Sequence, residues 1–131
     1  MKLFAIKENH LYLKAYRKGQ RYVGRYVAVY VIKDYAADRL MRENPEKKYL
    51  NRVGLSVTKK VGGAVKRSRA KRIIREGYRA VDSKTPLKRG WLIVISARAE
   101  IDGAKSFDLE RDLRISFRKL GMLTDTEKKD K

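Results

Sequence analysis

Apolar positions along the chain follow two different periods. Residues 25–33 alternate, with Val27, Val29 and Val31 on one side and Tyr26, Ala28, Tyr30 and Ile32 on the other, which predicts a strand. Residues 51–58 alternate through Val53, Leu55 and Val57, and residues 91–97 carry the apolar run of a third strand. Residues 64–81 instead repeat with the helical period. Ala70, Ile73, Ile74, Gly77, Tyr78 and Val81 form one stripe there, with Ser68, Arg72, Arg75 and Arg79 opposite. Gly62 and Gly63 break the register between that helix and the strand before it. A short helix is predicted over residues 8–18, closed by Gly19, with Arg17 and Lys18 in the last turn where cations suit the helix dipole. A final amphipathic helix over 107–120 buries Leu109, Leu113, Phe117 and Leu120, with Ser106 and Gly121 as its end caps. The polar stretch 34–48 reads as a long connection with a helical turn near 36–41, and 84–90 as a loop.

This order of elements predicts an α+β or α/β sandwich, a single sheet with helices packed on one of its faces. The unit from 51 to 97 is strand–helix–strand, for which the general rule is a right-handed crossover. A length of 131 residues makes one domain, placed at 1–123 with an insert-like loop at 34–48, and 124–131 is expected to be a disordered tail.

Charge changes the picture more than length does. The chain carries a net +19, while 43% apolar residues suffice for a packed core. Such an excess opposes compaction by self-repulsion and calls for a polyanionic partner, most simply nucleic acid. Without cysteine there is no disulfide, zinc knuckle or thiol nucleophile, and the single histidine, His10, reads as a surface residue of the first helix. The longest apolar runs, 27–32 and 91–95, are far short of a membrane span, and the N-terminus lacks the apolar stretch of a signal peptide. The expectation is a small cytoplasmic protein that binds a polyanion, with no membrane partner and no need to oligomerise.

Two groups of residues carry candidate chemistry. Between Lys59 and Arg79 stand nine Lys or Arg and one acid, Glu76. Cations in that density neutralise phosphates and release counterions, and Arg adds bidentate contacts. Lys66, Arg67 and Arg69 precede the apolar stripe and are expected to project past the sheet edge. The tyrosines form the second group: Tyr12 and Tyr16 share a helix face, and Tyr26 and Tyr30 share a strand face. Aromatic rings beside cations hold single-stranded nucleic acid by stacking, each ring worth roughly 1–3 kcal/mol. Tyr26 is read as a core ring, and Trp91 likewise. No catalytic residue is assigned. The acids Asp34, Asp38, Glu43 and Glu46 are scattered, and Asp108 with Asp112, one turn apart, match what the helix dipole alone favours. No metal site on the protein is assigned either.

The basic segment also carries a resemblance. Gly54-Leu55-Ser56-Val57-Thr58-Lys59-Lys60-Val61-Gly62 followed by Ala64-Val65-Lys66-Arg67-Ser68-Arg69-Ala70-Lys71-Arg72-Ile73-Ile74-Arg75-Glu76 closely resembles the signature of the bacterial ribonuclease P protein component, "G-L-S-V-x-K-K-x-G" leading into "A-V-x-R-N-x-x-K-R-x-x-R-E". Tyr12-Leu13-Lys14-Ala15-Tyr16-Arg17-Lys18-Gly19 is similar to the family's first helix, and the likeness runs over roughly 6–122. The resemblance implies the order helix, three strands, helix, strand, helix, with a left-handed strand–helix–strand crossover. It implies the accessory subunit of a ribonucleoprotein endonuclease that removes the 5′ leader of precursor tRNA, with hydrolysis performed by the RNA subunit and Mg²⁺ held mainly by RNA. Its implied partners are ribonuclease P RNA and precursor tRNA. The positions carried over for binding the catalytic RNA, close to its metal ions, are Lys59, Lys60, Lys66, Arg67, Ser68, Arg69, Lys71, Arg72 and Arg75; those lining the leader cleft are Tyr12, Tyr16 and Tyr30. Ser68 and Gly63 stand where the family commonly has Asn; serine keeps a hydroxyl but loses the paired geometry of the amide. A basic ribosomal protein is the alternative that charge and fold permit, and the aromatic pair together with the long signature argue against it. A protein-only metal-dependent nuclease lacks its carboxylate cluster.

Overall fold

The structure, a computed structural model, describes residues 4–6, 8–36, 39, 42–43 and 51–124. In chain order the elements are β1 (Phe4–Ala5), α1 (Asn9–Lys18), β2 (Gln20–Val23), β3 (Val27–Lys33), β4 (Arg52–Ser56), α2 (Ala64–Lys84), β5 (Trp91–Ala97), a 3-10 turn (Ala99–Ile101) and α3 (Ser106–Lys119). The strands make one sheet in the order β1-β4-β5-β3-β2. Within it β4 runs parallel to β1 and β5, while β3 is antiparallel to β5 and β2. The mixed α+β class and the strand–helix–strand unit β4–α2–β5 are as the pattern predicts.

Helices cover both faces of the sheet, which corrects the single-face expectation. Val27, Val29 and Val31 of β3, Val53 of β4, and Ile93 and Ile95 of β5 meet α2 and α3 through Ile73, Ile74, Leu109, Leu113 and Phe117. On the other face Leu92 and Val94 pack beneath α1 with Ala15, Leu11, Tyr12, Tyr30 and Ile32. The reason is legible in β5, whose consecutive apolar residues leave neither face polar enough for water. The α2–α3 contact closes over Gly77, where an added Cβ would lie 2.9 Å from Leu109 Cβ and from the Glu110 backbone nitrogen.

Several boundaries move. All six residues of the predicted α2 stripe are buried, but the helix runs one turn further, to Lys84, and takes the first residue of the expected loop. Past it, Leu87 bridges to Leu123. β2 escapes the periodicity because its residues are mostly exposed on an edge. The α3 cap falls on Lys105 rather than Ser106, which is already helical; the Asp108 carboxylate accepts the Lys105 backbone N–H at 2.9 Å. Gly121 follows α3 with φ +72° and donates to the Arg118 carbonyl, as a closing glycine should. Tyr26 precedes β3 and packs against the α2–α3 core, not on the face of Tyr30. Of the 34–48 connection, Arg39, Arg42 and Glu43 are helical, and most of the rest lies outside the described residues. So does 125–131, whereas Thr124, placed in the expected tail, donates to the Pro86 carbonyl at 3.2 Å.

Buried polar groups hold the sandwich in register. Asp112, one of the two acids predicted to serve only the α3 dipole, accepts the backbone N–H groups of Arg25, Tyr26 and Val27 at 3.0, 2.8 and 3.2 Å. It therefore ties α3 to the β2–β3 turn. Arg52 bridges Asp34, at the end of β3, and Glu8, at the start of α1. The Asn51 side chain donates to the Lys88 carbonyl and accepts the Trp91 backbone N–H.

Candidate nucleic-acid interface

Strand register sets the aromatic side of the site. On the α1 face, Gly54 of β4, Val94 of β5, Tyr30 of β3 and Arg21 of β2 stand opposite one another in a single row across the sheet. The neighbouring row, Ser56, Ser96, Ala28 and Val23, has no ring. Tyr16 of α1 meets Tyr30 edge to face, with ring centroids 4.8 Å apart and planes at 86°. One helical turn earlier, Tyr12 lies over Gly54, where a Cβ would fall 2.5 Å from the Tyr12 hydroxyl oxygen; only glycine leaves room for the phenol. Burial, then the neighbouring Tyr16, raises the Tyr12 phenol above its ordinary pKa, so at neutral pH it is an uncharged hydroxyl, with the Leu55 backbone as its hydrogen-bond partner. Tyr16 is 37% exposed, leaving part of its ring open for contact. His10 is exposed on α1 as expected, and Trp91 is packed against the core.

The cationic side comes from α2, which reaches the same place from the opposite face. β1 pairs with Arg52 and Val53, and among the described residues no strand pairs with the outer edge of β4 from Gly54 onward. At that edge lies an open cleft of about 310 Å³. Tyr12 lines it on one side, Lys71, Arg75 and Arg79 on the other, and Ala5, Val53 and Leu55 form its base. Along the linear chain the tyrosines and the basic helix read as two separate surfaces. Tertiary structure joins them at Tyr12.

The remaining assigned residues divide into two kinds. Arg72 and Ser68 are exposed on the outer side of α2, and Lys59 and Lys60 on the turn after β4. Among the described residues no ion pair involves Lys71, Arg72, Arg75 or Arg79, so no described acid neutralises these cations. Lys66 and Arg69, expected past the sheet edge, turn instead toward the segment before α3. Lys66 pairs with Asp102 at 3.2 Å in an exposed contact, and Arg69 donates to the Ala104 carbonyl at 2.6 Å. Arg67 is half-buried, and its Nε is buried without a hydrogen-bond partner. Arg69 is thus a structural tie as well as a cation. Arg79, which the helical period marks only as part of the polar face, enters the site through its place on the cleft wall.

No group of three or more His, Cys, Asp or Glu among the described residues is arranged to hold a metal ion. No helix among them is long and apolar enough to cross a membrane.

These features define a small, strongly basic α+β sandwich in which an aromatic wall and a cationic wall converge at one edge of the sheet. Comparison with known proteins takes that class to a family. The Ribonuclease P family model matches residues 2–121. The chain is 38% identical to the ribonuclease P protein component of Clostridium acetobutylicum over 128 residues, 98% of each chain. It is 44% identical to that of Dehalococcoides mccartyi over 90 residues, 69% of this chain and 72% of the relative. The RNase P protein of Staphylococcus aureus superposes with a TM-score of 0.70 at 26% identity, over 94% of this chain and 100% of that one. The RNase P protein of Thermotoga maritima shares the fold, with a TM-score of 0.64 at 19% identity over 83% of this chain and 90% of that one. The chain belongs to the ribonuclease P protein component family. Membership implies a tRNA-processing subunit of an endoribonuclease that associates with ribonuclease P RNA.

Proposed function

We propose that this chain binds both the catalytic RNA of ribonuclease P and the single-stranded 5′ leader of precursor tRNA, and so assists Mg²⁺-dependent removal of the leader in the bacterial cytoplasm. The observation that carries the reading is the meeting of Tyr12 with Lys71 and Arg75 in the cleft at the β4 edge, with the Tyr16–Tyr30 pair continuing the aromatic side along α1 and over the sheet. A single strand needs what that edge offers: rings for its unstacked bases and cations for its phosphates. Arg72, Ser68, Lys59 and Lys60, together with Arg67, Arg69 and Lys66, face outward or along the start of α2 and are assigned to the folded catalytic RNA. One copy of the chain suffices for both contacts.

Hydrolysis itself is assigned to the RNA subunit. The cleft's charged side chains are cations, which compete with Mg²⁺ instead of ligating it, and the described carboxylates are not gathered for it. In this reading Mg²⁺ is the RNA's metal, and the protein's contribution is to position the leader.

The test is binding of leader-bearing and leaderless tRNA to enzyme reconstituted with ribonuclease P RNA. Tyr16→Ala is expected to weaken binding of the precursor by about ten-fold, the value of roughly one base–ring stack, and to leave mature tRNA binding nearly untouched. An equal loss for both substrates would remove Tyr16 from the leader path and the reading with it.

A further inference from the structure

The cation row on the cleft wall continues beyond the residues assigned above. Lys71, Arg75 and Arg79 recur at every fourth position of α2 and all line the cleft. Eight residues of helix span about 12 Å. A stacked strand advances roughly 3.4 Å per nucleotide, so the row outruns any single phosphate. Arg79 lies at its far end, exposed; Glu76, the one acid of the basic segment, forms no ion pair with it. A guanidinium held on a cleft wall by a long, well-packed helix, without a carboxylate partner among the described residues, is suited to a phosphate oxygen.

We propose that Arg79 is a further substrate-binding residue, taking a backbone phosphate of the leader at the end of the β4-edge cleft remote from the start of α2. The proposal rests on the leader reading above and extends the path by one position. Its consequence is a length dependence. A leader too short to reach the end of the row gains nothing from Arg79, and a longer one does. Because the contact is at a solvent-open rim, its worth is that of an exposed charge pair, up to about five-fold in affinity. Each phosphate of a single strand that the protein ceases to neutralise lowers the salt slope of binding by about 0.7.

The experiment uses enzyme reconstituted with ribonuclease P RNA and a series of precursor tRNAs whose leaders grow one nucleotide at a time. Wild type, Arg79→Ala, Arg79→Lys and Tyr16→Ala are compared, with thermal melts of each variant to verify folding. Arg79→Ala is expected to match wild type on short leaders and to bind up to about five-fold more weakly only on leaders past a threshold length, with Arg79→Lys keeping most of the gain. If Arg79→Ala follows wild type at every length, or is weakened equally on leaderless tRNA, the proposal falls. The Tyr16→Ala arm separates the two ideas. When it abolishes leader preference while Arg79→Ala has no effect, only the Arg79 assignment fails; when it leaves leader preference intact, the leader reading fails and takes Arg79 with it.

Discussion

Single side chains settle whether the cleft keeps its shape. Asp112 is buried, and its two oxygens meet three backbone N–H groups at the turn that leads into Tyr30. Gly24 sits against the same carboxylate, where an added Cβ would lie 2.6 Å from Oδ1. Removing the carboxylate strands one buried donor, Val27 N–H, and two partly buried ones; a buried donor left unpaired costs about 1–3 kcal/mol. Asp112→Ala is therefore expected to lower stability by at least about 1 kcal/mol, read as a fall in the denaturant midpoint, with Asp112→Asn in between. A midpoint unchanged in Asp112→Ala would mean that water replaces the carboxylate. Residue chemistry also explains why Asp108 and Asp112 look alike in the sequence. Both lie on α3 one turn apart, yet Asp108 caps its own helix while Asp112 serves another element altogether. Spacing along a helix gives the face of a side chain, not the partner waiting there.

At the scale of elements, α2 does two jobs with two faces. Its buried stripe, with Ile74 fully inside, anchors it to the sheet, and its outer face carries Arg72 without an acidic partner among the described residues. The faces should separate under mutation. Ile74→Ala is expected to cost about 2–5 kcal/mol of stability. Arg72→Ala should leave the melt nearly unchanged while reducing the salt slope for the catalytic RNA by about one unit for each phosphate that Arg72 neutralises. An unaltered slope in Arg72→Ala would remove the outer face from the docking surface. Arg69→Ala is a poorer probe, because it also releases the Ala104 carbonyl. The α2–α3 pair is closed at its far end by Glu110, which accepts from Lys84 and Arg114 at 2.9 and 2.7 Å; these bonds hold its carboxyl below the ordinary pKa.

For the whole molecule, the decisive quantity is the balance of charge against carboxylates. On the proposed reading, a net +19 serves the binding of RNA, and phosphodiester chemistry is left to that RNA. The purified protein alone is expected to leave precursor tRNA intact. Added ribonuclease P RNA should restore cleavage, at a lower Mg²⁺ concentration than the RNA needs unaided. Robust cleavage by the RNA-free protein would overturn this division of labour.

Patterns within one element are enough to place β3, β5, α1 and α2, the buried stripe of α2 and the exposure of Arg72, Arg75 and Arg79 opposite it, because period and burial follow from local geometry. The basic signature and the Tyr12–Tyr16 spacing are likewise present in the linear chain. Three things are not. Edge strand β2 has too few buried residues to show a period, the second covered face of the sheet depends on where α1 docks, and the meeting of Tyr12 with Lys71, Arg75 and Arg79 depends on α1 and α2 flanking the β4 edge from opposite faces. The last two are relations between elements far apart in sequence, decided by which apolar surfaces pair.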